Sequence, residues 1–282
     1  DFSSTDPFVV RDFSEKLRIM IDHELLGGKK LFPQKRRLKE ELRQLLQRTV
    51  YMGFQLVIDR IPSQKRLVLK TVEKNTTSLP YMVWSAGQRE FTPLLLGLYW
   101  LMPPSKTPRR GDIRWVVIEE PEMGLHPRAI EVVMLMILEL LSRNYRVCLS
   151  THSPQILELI WIIRHLQKEG DGNCEDLFHL FGLTKKTQSL NAIFQRVLDK
   201  DYKIYYFDAS TNDKKENIKR RVSDISDLDL SMEKDEGATW GGMLEFSERA
   251  NRIVARISLP SEYILAQSPG ETYAQENTVE VG

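Results

Sequence analysis

Arg114-Trp115-Val116-Val117-Ile118-Glu119-Glu120-Pro121-Glu122 sets a short apolar run directly against a group of carboxylates, and its reading decides the fold. A run of this length that ends in polar residues is the pattern of a buried parallel strand whose charged residues emerge at the carboxyl edge of a sheet. A second run of the same kind, Tyr145 to Leu149, ends in Ser150-Thr151-His152-Ser153-Pro154. Between them, Pro127 to Arg143 is apolar at Ile130, Val132, Val133, Met134, Leu135, Met136, Ile137 and Leu138. A helix apolar around so much of its circumference needs cover on most sides. Strand, helix and strand of these lengths predict a right-handed crossover, which brings both polar strand ends to one rim. Glu120 and His152, distant in sequence, are therefore expected close together in space.

Upstream, Ser85-Ala86-Gly87-Gln88-Arg89-Glu90 precedes a buried apolar helix at Leu94 to Leu101. Ser85 and Gln88 have the spacing of a capping box, and the free N–H groups of a helix start also bind anions. Phe54 to Asp59 and Arg66 to Val72, around Pro62-Ser63, predict an antiparallel hairpin. Before it come two expected helices. One spans Ser14 to Leu26 with Phe13, Leu17, Ile21 and Leu25 on a stripe ended by Gly27-Gly28, and the other starts near Pro33 with Leu38, Leu42, Leu45 and Leu46. The basic cluster Lys29-Lys30 and Lys35-Arg36-Arg37 reads as a solvated helix face. Downstream, Gln155 to Gln167 predicts a helix, Lys203 to Phe207 a strand and Trp240 to Ile257 a closing helix, followed by a polar tail after Pro260.

These placements imply chemistry. Phosphoryl transfer from a nucleotide needs a metal on the phosphates, a carboxylate to orient water, and donors aimed at the γ-phosphate. Glu119 is placed to hold Mg²⁺, Glu120 to polarise the attacking water, and His152 to contact the γ-phosphate from the neighbouring strand. Each alone is an ordinary surface residue; an acidic pair and a histidine on adjoining strand ends are more specific.

The three segments in this order, Ser85-Ala86-Gly87-Gln88-Arg89-Glu90, Val116 to Pro127 and Leu149 to Pro154, resemble the signature motif, the Walker B and D-loop, and the switch histidine of the ABC-type ATPases. They are most similar to the bacterial branch labelled AAA-family ATPases, which includes the overcoming-lysogenization-defect proteins, RecF and the heads of structural-maintenance-of-chromosomes proteins. The resemblance implies ATP and Mg²⁺ as cofactors and a head-to-head homodimer with nucleotide sandwiched between protomers. Ser85, Ala86, Gly87 and Gln88 would then bind the nucleotide held by the opposite protomer, and Gly124 to Pro127 would run along the seam. Two positions depart from the transporter pattern: Glu119 replaces an aspartate, and so does His126.

No segment has the glycines, lysine and Ser or Thr of a P-loop. Gly27-Gly28-Lys29-Lys30 comes nearest, but it follows a helix and ends in Leu31. An N-terminal Walker A lobe beyond Asp1 is expected, and without it the chain is expected to bind and hydrolyse ATP poorly.

The 40 basic and 39 acidic residues balance, so overall charge makes no case for DNA or RNA, and the runs Lys106 to Arg110 and Lys214 to Arg221 read as solubilising loops. Cys148 and Cys174 form neither a disulfide framework nor a zinc set, which suits the cytoplasm. No membrane span is expected. The fold class is α/β: a parallel-sheet ATPase lobe with helices on both faces, a helical signature subdomain and a small hairpin. The expected domains are residues 1–112 with the signature, 113–208 with the carboxylates and histidine, a 209–260 extension and a 261–282 tail. The leading function is an ATP-driven dimerisation switch for an effector protein, with the family suggesting phage defence or DNA maintenance. Alternatives are a nuclease using Asp227-Leu228-Asp229, although no strand ending in a suitable glutamate precedes that pair, and a non-catalytic nucleotide-sensing module.

Overall fold

The computed structural model describes residues 7–25, 30–34, 37–61, 64–71, 77–103, 109–168, 174–211 and 218–226. The chain divides into two compact units, Asp1–Tyr202 and Lys203–Gly282.

The first unit opens with α1, Phe8–Met20, which runs on into a π-helical turn at Ile21–Leu25. It starts six residues before Ser14 because Pro7, pre-set at φ −54°, offers its carbonyl to the Val10 and Arg11 amides at 3.0 and 3.2 Å. The glycine pair expected to stop it lies outside the described residues. A strand not expected from the sequence follows, β1, Lys30–Phe32.

Pro33 does not open a helix. The second helix, α2, is Glu40–Thr49, with Glu40 and Glu41 in the first turn where the helix dipole favours carboxylates. Leu42 and Leu46 are buried as expected, and Leu38 is buried ahead of the helix. The basic cluster is not simply solvated: Arg37 is buried and donates to the Tyr99 carbonyl at 3.0 Å, while Lys29, Lys35 and Arg36 lie outside the described residues.

The expected hairpin is β2, Gln55–Ile61, and β3, Gln64–Lys70, paired antiparallel from Gln55↔Lys70 to Ile61↔Gln64. It sits within a four-stranded sheet, because β1 joins β2 and a short β4, Ser78–Pro80, joins β3. Leu56, Ile58 and Leu69 turn toward the core. A 3-10 turn, Tyr81–Val83, leads into α3, Ala86–Leu101, which is longer than its apolar run because exposed Pro93 is carried inside it.

The crossover follows the sequence closely. β5, Trp115–Glu119, and β6, Arg146–Ser150, are parallel and joined by α4, Pro127–Ser142. Helix α4 is buried on nearly every side, packing on α2, on β6, on α5 at Pro154–Lys168, and on α7 at Gln188–Leu198. A further short helix, α6, Cys174–Leu180, packs on α7. Neither α6 nor α7 was expected. Glu139, in the interior of α4, is only 1% exposed and is held by Arg143 at 2.8 Å and Lys39 at 3.4 Å.

The two parallel strands are buried on one face only. Val116, Ile118, Val147 and Leu149 pack on the core, but Trp115 and Val117 are 60% and 68% exposed, and Cys148 is exposed with them. Full burial of both strands is thus corrected: among the described residues, helices cover one face and nothing covers the other.

The second unit, taken by itself, has an antiparallel pair, β7, Tyr205–Thr211, and β8, Ile218–Asp224. The strand begins at Tyr205 rather than Lys203. Arg220 and Arg221 lie in β8 instead of a loop, while Arg110 of the other basic run is fastened to the Trp100 carbonyl and ring. The expected helix at 240–257, the Asp227-Leu228-Asp229 pair and the tail lie outside the described residues. No helix among the described residues is long and apolar enough to cross a membrane.

Candidate active site

The parallel register decides the geometry. Trp115 pairs with Arg146 and Glu119 with Ser150, so the chain leaves both strands at the same rim, and the Glu120 amide still donates to the Ser150 carbonyl at 2.9 Å. His152 Nε2 lies 3.5 Å from Glu120 Oε1. The pair is exposed, 84% on the histidine and 42% on the glutamate, and ion pairs of this kind contribute little to stability. Stability therefore does not account for its position.

Glu120 also departs from ordinary backbone, at φ +43°. The left-handed region costs a side-chain-bearing residue about 1–2 kcal/mol. It is imposed here by the turn that follows, where Met123 N–H donates to the Glu120 carbonyl and Leu125 N–H to the Glu122 carbonyl, both at 3.0 Å, and Gly124 takes φ +68°. Glu120 thus heads the turn, with its carboxylate within reach of His152.

Glu122, to which the motif alone assigns no role, is tied to the next strand's exit. Its Oε1 accepts from the Thr151 hydroxyl at 2.6 Å and from the His152 amide at 2.7 Å. Thr151 Oγ1 in turn accepts from the Ser153 amide at 2.9 Å. The other oxygen, Oε2, is buried without a hydrogen-bond partner among the described residues. The signal in the sequence is a third acidic residue two places after Glu120, with a threonine just past the end of the next strand.

Glu119 is exposed at the last position of β5 and has no hydrogen bond or ion pair among the described residues. No group of three or more His, Cys, Asp or Glu side chains there converges on one point. Mg²⁺ in phosphoryl-transfer sites takes one or two carboxylates and completes its shell with phosphates and water, so one free carboxylate at this rim fits such an ion.

At the start of α3 the capping box is complete: Ser85 Oγ accepts from the Gln88 amide at 3.2 Å, and Gln88 Oε1 accepts from the Ser85 amide at 3.1 Å. Gln88 is buried and also donates through Nε2 to the Val50 carbonyl at 3.2 Å, beside Thr92 and the Tyr51 phenol, whose pKa burial raises. Both ends of that amide are thus engaged in the fold. Ser85 and Ala86 are exposed, and Gly87 is buried against the turn. A Cβ on Gly87 would stand 2.7 Å from the Gly124 carbonyl oxygen, so glycine is required for the helix start and the turn to touch. His126 caps α4, its Nδ1 accepting from the Arg128 amide at 3.3 Å, which is the service an aspartate gives at a helix start.

The family model described as "AAA domain, putative AbiEii toxin, Type IV TA system" matches residues 12–158, just over half of the chain. The chain belongs to this AAA domain family. The match runs from α1 through Ser85–Glu90, the carboxylate strand and the histidine into α5, and stops short of α6, α7 and the second unit. No curated protein and no solved structure matches the chain. Membership places residues 12–158 among the AAA/ABC-like P-loop ATPases and points to a nucleotide-binding ATPase domain.

Proposed function

We infer that this AAA domain contributes the water-activating, phosphate-sensing and signature parts of an ATP-hydrolysing site. One observation carries the reading, the 3.5 Å approach of His152 Nε2 to Glu120 Oε1 at the carboxyl rim of a parallel strand pair. In this reading Glu120 orients the attacking water and accepts its proton, while His152 donates toward the γ-phosphate oxygens. Glu119 would hold Mg²⁺, which neutralises phosphate charge when bound. The 282 residues contain no P-loop motif, so this reading requires that element from elsewhere. The face of β5 and β6 that is open among the described residues is the natural seat for the lobe that carries this loop, since parallel strands are rarely left open.

The signature segment acts in this scheme on nucleotide held by a second copy. Its contact with the Gly124 turn supports the reading, because helix start and turn form one surface flanked by exposed Met82, Val83 and Met123. A donor set of this kind would use the Ser85 hydroxyl and the Ala86 and Gly87 amides, with Gln88 holding the cap. Nucleotide-dependent pairing of two such heads would move an attached effector, in phage defence or DNA maintenance.

The test is ATP turnover by protein that includes a phosphate-binding loop, in the same polypeptide or added to it. Glu120→Gln removes the base and keeps the shape, and turnover should fall by roughly 100-fold or more while nucleotide still binds. Unchanged turnover would remove Glu120 from the chemistry.

A further inference from the structure

Four contacts form an unbroken path between two places that the proposed reaction treats separately. Gly87, at the signature helix start, lies against the Gly124 carbonyl, the oxygen its absent Cβ would strike at 2.7 Å. Gly124 belongs to the tight turn from Glu120 to Leu125. Glu122, inside that turn, holds the Thr151 hydroxyl and the His152 amide with one oxygen. His152 then faces Glu120, at the head of the same turn. The turn thus touches the signature on one side and fixes the histidine on the other.

We propose that Glu122 is a positioning residue that couples the signature segment to His152. The reading rests on the site assignment above but not on turnover. A carboxylate oxygen receiving two donors sets where the His152 backbone sits, whereas the imidazole itself, 84% exposed, has little packing to place it. The second oxygen is buried and has no hydrogen-bond partner among the described residues, a cost that an ordinary surface glutamate would avoid by turning outward. Displacing Gly124, as a second copy would by pressing on the signature, therefore displaces Glu122 and with it His152.

The experiment uses the 282-residue chain, labelled with ¹⁵N-histidine. The chain has five histidines, so the spectrum holds at most five amide signals, and His152→Gln assigns the relevant one. In Glu122→Ala the His152 amide should exchange with water about ten-fold faster or more, because its acceptor was charged. Glu122→Gln keeps a carbonyl acceptor and should lie between. His165 and His179, both helical, should keep their exchange rates, which shows that the fold survives.

Coupling is read from a double-mutant cycle. Gly87→Ala, which forces the turn to move, should shift the His152 amide signal when Glu122 is present and leave it in place when Glu122 is alanine. Equal shifts in both backgrounds, or normal His152 exchange in Glu122→Ala, would overturn the proposal. With a phosphate-binding loop present, Glu122→Gln should lower kcat with KM for ATP nearly unchanged. Absence of turnover in the parent protein would count against the ATPase reading alone, since the amide measurements need no nucleotide.

Discussion

The two faces of the β5–β6 pair carry similar residues into opposite surroundings. On one, Val116, Ile118, Val147 and Leu149 pack on the core; on the other, Trp115, Val117 and Cys148 meet water. The antiparallel sheet β1–β4 is no guide to this, because antiparallel sheets commonly leave one face solvated and parallel ones seldom do. Alternation between an apolar inner face and a polar outer face is what a half-exposed strand normally shows. Here the outer face is mixed: Trp115, Val117 and Cys148 form an apolar strip, with Arg146 at one end and Glu119 and Ser150 at the other. The difference teaches that the middle of these strands is patterned for cover on both sides, and that the described residues supply half of it.

A matched pair of truncations tests that comparison most severely. Ile118→Ala, at 6% exposure, should lower the unfolding free energy by about 2–4 kcal/mol, the cost of an emptied core position. Val117→Ala, its neighbour at 68% exposure, should change it by less than about 0.5 kcal/mol. Urea unfolding of both variants gives the numbers. Similar losses would mean that the outer face is already covered in the chain alone.

Thiol labelling sharpens the same point with a smaller perturbation. Cys148 lies on the open face, whereas Cys174 is partly buried and its thiol pKa is raised by that burial. The sign follows directly: a raised pKa leaves less thiolate at a given pH, and thiolate is the nucleophile. At pH 8 Cys148 should be alkylated several-fold faster than Cys174, and the lag of Cys174 should shrink as pH rises. If a phosphate-binding lobe seats on the open face, its addition should protect Cys148 and leave Cys174 unchanged. Mass spectrometry after timed quenching reports both rates.

Much of this was legible in the residues, and what was not has physical reasons. The crossover could be read because an apolar strand ending in charge has few alternatives, and Glu120 and His152 met as the parallel register required. The capping box at Ser85 and Gln88 was legible from spacing alone. The deep commitment of Gln88 was not, since its second partner, the Val50 carbonyl, is a backbone atom far away in sequence. Glu122 escaped for the same reason: its donors, Thr151 and His152, lie in the loop after β6, about thirty residues away in sequence. The error at Pro33 came from weighing a proline allowed in a first turn above the acidic pair Glu40-Glu41, which marks the true start. Short β1 and β4 carry too few residues for a period to show, and their partners on the hairpin decide them.

The smallest effect expected is on Trp115, and it is informative because it is small. A tryptophan in a finished core costs about 3–5 kcal/mol to truncate. Trp115, 60% exposed, has the Arg146 guanidinium 5.5 Å from its ring centre, and an exposed cation–π pair is worth about 0.5–1 kcal/mol. Trp115→Ala should therefore lower the stability of the isolated chain by about 0.5–1 kcal/mol. Arg146→Gln should cost about the same, and the double variant no more than either, because both remove one interaction. Repeating the cycle with the open face covered should turn the tryptophan into an anchor, raising its cost to about 2 kcal/mol or more, the range of buried aromatic contacts at interfaces. A large loss in the isolated chain would show that the face is already packed, and the contrast between the two sides of the sheet would disappear.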